Sequence, residues 1–186
     1  MYSLEVLSCV FLSFFLSIEG IQIIWDNDAK VNYNDIDFAR KEEVRMPNWL
    51  FIYPGTKWCG AGNVAMNFDD LGDFARTDKC CRAHDNCDDS IEGYQTNHNL
   101  TNTGFYSKLS CGCDEKFFQC LKSVNTRDSK IIGGIYFNAL GTQCFKSDYP
   151  IKKCTKQVYF PSKKCVKYEL DVTQEKVYQW FDIPIF

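Results

Sequence analysis

Only two histidines occur in the 186 residues, His84 and His98. His84 stands in the run Asp78–Ile91 (DKCCRAHDNCDDSI), one helical turn from Cys80 and one from Cys87. A second run, Tyr106–Val124 (YSKLSCGCDEKFFQCLKSV), carries Cys113 and Cys120 at the same seven-residue spacing. Seven residues are two helical turns, so on paired helices Cys80–Cys120 and Cys87–Cys113 would close at one register. Spacing favours that pairing without proving it, because sequence does not fix disulfide connectivity. The same register sets Asp114 within a turn of the position facing His84. An imidazole backed by a carboxylate is general-base chemistry. The acid fixes the ring tautomer and steadies the imidazolium formed when the other nitrogen takes a proton. A lone histidine is more often structural, and the facing acid reverses that expectation here.

The elements that must hold this pair are written in the same runs. Neither contains proline, and Thr77 and Asp78 are candidate caps for the first helix. In the second, Leu109, Cys113, Phe117, Cys120 and Leu121 recur at three- and four-residue steps, an apolar helical face. Gly112 is a mild cost inside it. Ahead of both lies Tyr53–Asn63 (YPGTKWCGAGN), where Gly55, Gly60 and Gly62 predict a tightly curved loop with convergent carbonyls. Asp85, next to His84, can add a carboxylate, and an all-oxygen donor set suits Ca²⁺. No EF-hand pattern is present. A zinc site from Cys80, Cys81, His84 and Cys87 competes, and an oxidised, exported chain opposes it. Near the end, VKYELD and KVYQWFD alternate around Val172–Glu175 and predict a β-hairpin. Trp180 and Phe181 are expected in the core rather than against lipid.

Composition bounds the function. Apolar residues at 45% and charged residues at 24% exclude a disordered or collagen-like chain. Eleven cysteines argue for a secreted, cross-linked protein. A net charge of −3 gives no basic excess for nucleic acid, and none is expected as a partner. Val6–Ile18 is uncharged and too short to span a membrane, so residues 1–20 read as a signal peptide. Its removal would take Cys9 and leave an even number of cysteines. Residues 21–50 form a polar extension or propeptide with a dibasic Arg40–Lys41, and 51–186 hold the cross-linked domain. Eight lysines between Cys144 and Lys176 make a local basic surplus that anionic lipid would attract. Asn99–Leu100–Thr101 is a glycosylation sequon.

Taken together, Tyr53–Asn63, Thr77–Cys87 (TDKCCRAHDNC), Leu109–Cys120 (LSCGCDEKFFQC), Tyr136–Asn138 (YFN) and Val177–Asp182 (VYQWFD) resemble the bee-venom class (group III) of secreted phospholipase A2. The resemblance runs from about residue 52 to the carboxyl terminus. The fold expected is mainly α and disulfide-rich: two long antiparallel helices cross-linked by disulfides, a calcium-binding loop and a small C-terminal β-hairpin region. The implied activity is Ca²⁺-dependent hydrolysis of the sn-2 ester of glycerophospholipids, by a secreted monomer at a membrane surface. By the same match His84 would activate water, Asp114 would orient it, and Tyr136 would bond Asp114. Trp58, Gly60 and Gly62 would offer carbonyls to Ca²⁺ and Asp85 its side chain, with the Gly60 amide at the oxyanion. The implied bridges are Cys59–Cys81, Cys80–Cys120, Cys87–Cys113, Cys111–Cys144 and Cys154–Cys165. The extension before Phe51 lies outside the shared core, and Ala61 sits between loop glycines where its side chain is not required. No matched catalytic or ligand position is lost. A catalytically silent phospholipase-like toxin or receptor-binding protein, and a small protease inhibitor, are the competing classes.

Overall fold

The computed structural model describes Ile52–Phe186. The apolar run Val6–Ile18, Cys9 and the polar extension lie outside the described residues. After the glycine-rich loop, α1 (Ala75–Asp85) begins behind Phe74, which makes no side-chain cap. Thr77 and Asp78 therefore do not cap it; both lie inside the helix and are buried. The helix stops at Asn86, whose side-chain amide donates to the Arg82 carbonyl at 2.8 Å and competes with helical continuation.

Four two-residue strands follow: β1 (Ser90–Ile91), β2 (Thr96–Asn97), β3 (Leu100–Thr101) and β4 (Lys108–Leu109), with β1 paired to β4 and β2 to β3. Next comes α2 (Cys111–Val124), closed by Asn125 at φ 51°, a left-handed cap whose N–H returns to the Leu121 carbonyl. A Thr126/Ser129 capping box opens α3 (Arg127–Gly133), which runs into a π-helical turn, Gly134–Ala139. The chain ends in β5 (Gln143–Asp148), β6 (Ile151–Val158), β7 (Lys164–Leu170) and β8 (Val177–Asp182).

Two expectations are corrected here. The described chain is not mainly α with two long helices: α1 has 11 residues and α2 has 14, and the eight strands hold about as much chain. The runs Asn86–Ile91 and Tyr106–Ser110 were expected to be helical, but β1 and β4 pair there, Ser90 with Leu109. Nor do the strands flanking Val172–Glu175 pair with each other. β7 pairs with β6, and β8 pairs antiparallel with β5, Cys144 opposite Phe181. Alternation reports which face a strand buries, not which neighbour it takes. Phe181 and Ile183 enter the core, and β7 is bridged to β6 through Cys154–Cys165.

The core gathers Trp58, Phe117, Leu121, Phe137, Phe181 and Ile183 around the disulfides Cys59–Cys81 and Cys80–Cys120. Each such side chain contributes about 1.5–3 kcal/mol on full burial. Phe137 has no exposed surface and stacks on Phe186 at 5.8 Å. The Phe186 ring occupies the space a Cβ on Gly133 would need, so a side chain there would have to displace Phe186. Cys87–Cys113 and Cys111–Cys144 complete five bridges, with Cα–Cα distances of 4.8–6.3 Å across the set. All lie within the range ordinary bridges span. Lys164 is buried, and its ammonium donates to the carbonyls of Phe137 and Ile183, tying β7 to the π-helical turn that carries Tyr136. Burial pushes its pKa down, and the charges of Asp182 and Asp114 oppose that shift.

Candidate active site

His84 lies one residue from the end of α1, and Asp114 in the first turn of α2, where helix N-termini favour negative charge. Cys80–Cys120 and Cys87–Cys113 hold the two segments together on either side of His84. His84 Nε2 is 2.8 Å from Asp114 Oδ1, and both residues are buried, at 8% and 1% exposure. The Tyr136 hydroxyl donates to the same oxygen at 2.8 Å. Burial, then the Asp114 charge, pushes the Tyr136 phenol well above its ordinary pKa, so it remains a donor. Phe117 stacks on the imidazole at 4.3 Å, and Tyr136 meets it edge-on at 5.0 Å. The ring is thus fixed from three directions. Facing a carboxylate, Nε2 carries the proton, which leaves the Nδ1 lone pair available. Among the described residues Nδ1 has no hydrogen-bond partner, and neither has the buried Asp114 Oδ2.

The glycine loop is organised by its carbonyls. Those of Tyr53, Gly55, Lys57 and Cys59 accept backbone N–H groups of Thr56, Phe74, Val64 and Tyr53. Those of Trp58, Gly60 and Gly62 accept none among the described residues. Gly62 adopts φ 76° and Gly55 φ 83°, left-handed conformations that favour glycine. The Cys59–Cys81 bridge fastens the loop to α1.

A family model described as Phospholipase A2 matches residues 52–148. The phospholipase A2 of Xylocopa appendiculata circumvolans is 49% identical over 137 residues, covering 74% of this chain and 74% of the relative. That of Apis dorsata is 47% identical over 133 residues, covering 71% of this chain and 97% of the relative. That of Apis mellifera is 44% identical over 133 residues, covering 71% and 78%. The chain belongs to the bee-venom type of phospholipase A2.

In this phospholipase A2 the chemistry of Asp85 and of the loop carbonyls suits a hard divalent cation. Asp85 closes α1 and keeps solvent contact, yet the protein packed about its carboxyl and the charge of Asp78 push its pKa up to about 8. No cationic side chain pairs with it among the described residues. One carboxylate and three loop carbonyls that accept no bond among the described residues are oxygen donors of the kind Ca²⁺ prefers. Zinc finds no such fit, since Cys80, Cys81 and Cys87 are all disulfide-bonded. A cavity of about 340 Å³ between α1 and α2 is lined by His84, Phe117, Asn86 and Lys116 among others. Its lining includes neither Asp114 nor the glycine loop. His98 takes no part: its Nε2 is 2.9 Å from Asp89 Oδ1 and its ring stacks on Tyr178 at 4.0 Å.

Asp78 escapes sequence reasoning. Fully buried, its Oδ1 accepts the N–H of Trp58 at 2.8 Å and of Lys57 at 3.1 Å. Its Oδ2 accepts the N–H of Gly72 at 2.8 Å. One carboxylate in α1 therefore clamps the middle of the glycine loop and the segment that follows it at Gly72. Asp78→Ala would strand three amides, and is expected to lower unfolding free energy by about 3 kcal/mol. Urea denaturation with the disulfides intact reads this, and an unchanged midpoint would refute the clamp.

Proposed function

We propose that this phospholipase A2 hydrolyses the sn-2 ester of glycerophospholipids in a Ca²⁺-dependent reaction, with His84 as general base. The observation that carries the reading is the buried His84–Asp114–Tyr136 chain with Nδ1 unpartnered. His84 Nδ1 takes a proton from water as the water oxygen bonds to the ester carbonyl carbon. Asp114 holds the resulting imidazolium by its Nε2–H, and Tyr136 keeps Asp114 in place. On collapse the C–O bond to the glycerol breaks, and the Nδ1 proton passes to the leaving lysophospholipid oxygen. The fatty acid is the other product. Trp58, Gly60 and Gly62 carbonyls with the Asp85 carboxylate would hold Ca²⁺, which when bound supplies positive charge to the phosphate and the developing oxyanion. The Gly60 N–H is assigned to that same oxyanion.

We further assign residues 1–20 to a signal peptide, 21–50 to an extension ahead of the catalytic domain, and the mature monomer to the extracellular space. Asn99 is exposed in the turn between β2 and β3, within reach of glycosylation. The mass of the secreted product reads both the mature start and any glycan. The activity itself is tested with phosphatidylcholine carrying different acyl chains at sn-1 and sn-2. Release of the sn-2 chain alone, abolished by EGTA, is expected. Release from sn-1, or release indifferent to EGTA, would contradict the proposal, and a silent homologue would release nothing.

A further inference from the structure

The β6–β7 hairpin is unlike the rest of the described fold. In a strand with one packed face burial alternates, but Lys152–Gln157 are exposed without a break. β6 therefore meets solvent on both faces, while β7 is packed at its start through Lys164 and Cys165 and is joined to β6 by Cys154–Cys165 with a Cα–Cα distance of 5.8 Å. The connecting turn carries Tyr159 and Phe160 at 72% and 88% exposure. Two adjacent bare aromatics in one turn are a cost unless something apolar receives them.

Charge follows a gradient along the same element. At the base, Lys152 pairs with Asp171 and Lys153 with Glu169, each at 3.3 Å. Towards the tip Lys156, Lys163 and Lys167 are exposed and have no acidic partner among the described residues. Lys156 and Lys167 stand opposite each other in the ladder, a like-charge pair that destabilises a hairpin in isolation. Lysine ammoniums at headgroup level with aromatic rings just beyond them match an anionic bilayer surface. The rings can enter the acyl boundary while the lysines meet lipid phosphates.

Resting on the proposed function for its setting, we propose that the β6–β7 hairpin is an anchor for anionic phospholipid surfaces. Phe160 and Tyr159 insert, and Lys156, Lys163 and Lys167 supply the preference for negative charge. The anchor is distinct from the catalytic residues, so it can be tested without them.

Co-sedimentation of the full chain with vesicles of non-hydrolysable ether-linked phosphatidylcholine, with or without ether-linked phosphatidylglycerol, is done in EGTA to leave Ca²⁺ out of the binding. Each lysine near an anionic surface is worth about a fivefold change in partitioning, so Lys156→Gln/Lys167→Gln should weaken binding to the anionic vesicles roughly 30-fold. The same variant should bind zwitterionic vesicles as the parent does. Phe160→Ser should weaken binding to both, by roughly tenfold. Hydrolysis of a dispersed short-chain phosphatidylcholine should be unchanged in both variants. Parental binding of the variants to anionic vesicles would overturn the proposal, as would equal losses of the lysine variant on both vesicle types. So would retention on heparin through Lys156 and Lys167 without vesicle binding, which would make the partner a soluble polyanion. A parent that binds anionic vesicles but hydrolyses no monomeric substrate would sink the catalytic reading and leave the anchor standing.

Discussion

His84→Gln is expected to lower turnover on phospholipid by about 10⁴-fold, the upper range for loss of a positioned general base. Glutamine suits the test because its amide can still donate towards Asp114 Oδ1, where His84 Nε2 now lies at 2.8 Å. What it lacks is a nitrogen lone pair able to take the proton from water. The buried contacts with Phe117 and Tyr136 are kept in outline, so urea unfolding should move little while kcat collapses. Near-normal hydrolysis by this variant would remove His84 from the chemistry.

The second large effect is expected at Asp85. It is the single charged donor proposed beside three neutral carbonyls, so Asp85→Asn should weaken Ca²⁺ binding by about 100-fold or more. Turnover at ordinary Ca²⁺ should vanish with it, and only partly return at high Ca²⁺. Stability should move the other way. A carboxyl raised from 3.8 to about 8 binds its proton more tightly in the folded state. Folding therefore loses stability as pH rises through that window, and asparagine, which cannot ionise, escapes the loss. In EGTA at neutral pH, Asp85→Asn should be at least as stable as the parent. A variant that kept Ca²⁺-dependent activity, or unfolded outright in EGTA, would contradict the assignment.

The pairing of His84 with Asp114 is legible in the sequence because matched cysteine spacings set a register. The equal steps Cys80–Cys87 and Cys113–Cys120 survive even though Cys87 lies beyond the end of α1. Asp78 was illegible for a physical reason. Its amide partners are Lys57, Trp58 and Gly72, and an acid near a helix start looks like a cap when those partners are out of view. Helix lengths are not legible from the absence of proline alone, because Asn86 ends α1 through its own side chain. The partner of β8 was misassigned because alternation in VYQWFD is satisfied equally by β5 or β7. Lys164 was counted with a solvated basic surplus, yet it is buried against two carbonyls. In each case the missing information was a contact far away in sequence.

The account claims that a base and a cation site share one place, built from α1, α2 and the glycine loop. Diffraction from crystals of the protein grown with Ca²⁺, with the ion located by its anomalous signal, tests this most directly. The ion is expected on the Asp85 carboxylate and the carbonyls of Trp58, Gly60 and Gly62, with an ordered water reaching His84 Nδ1. An ion bound elsewhere, or a His84 ring turned from both that water and Asp114, would contradict it.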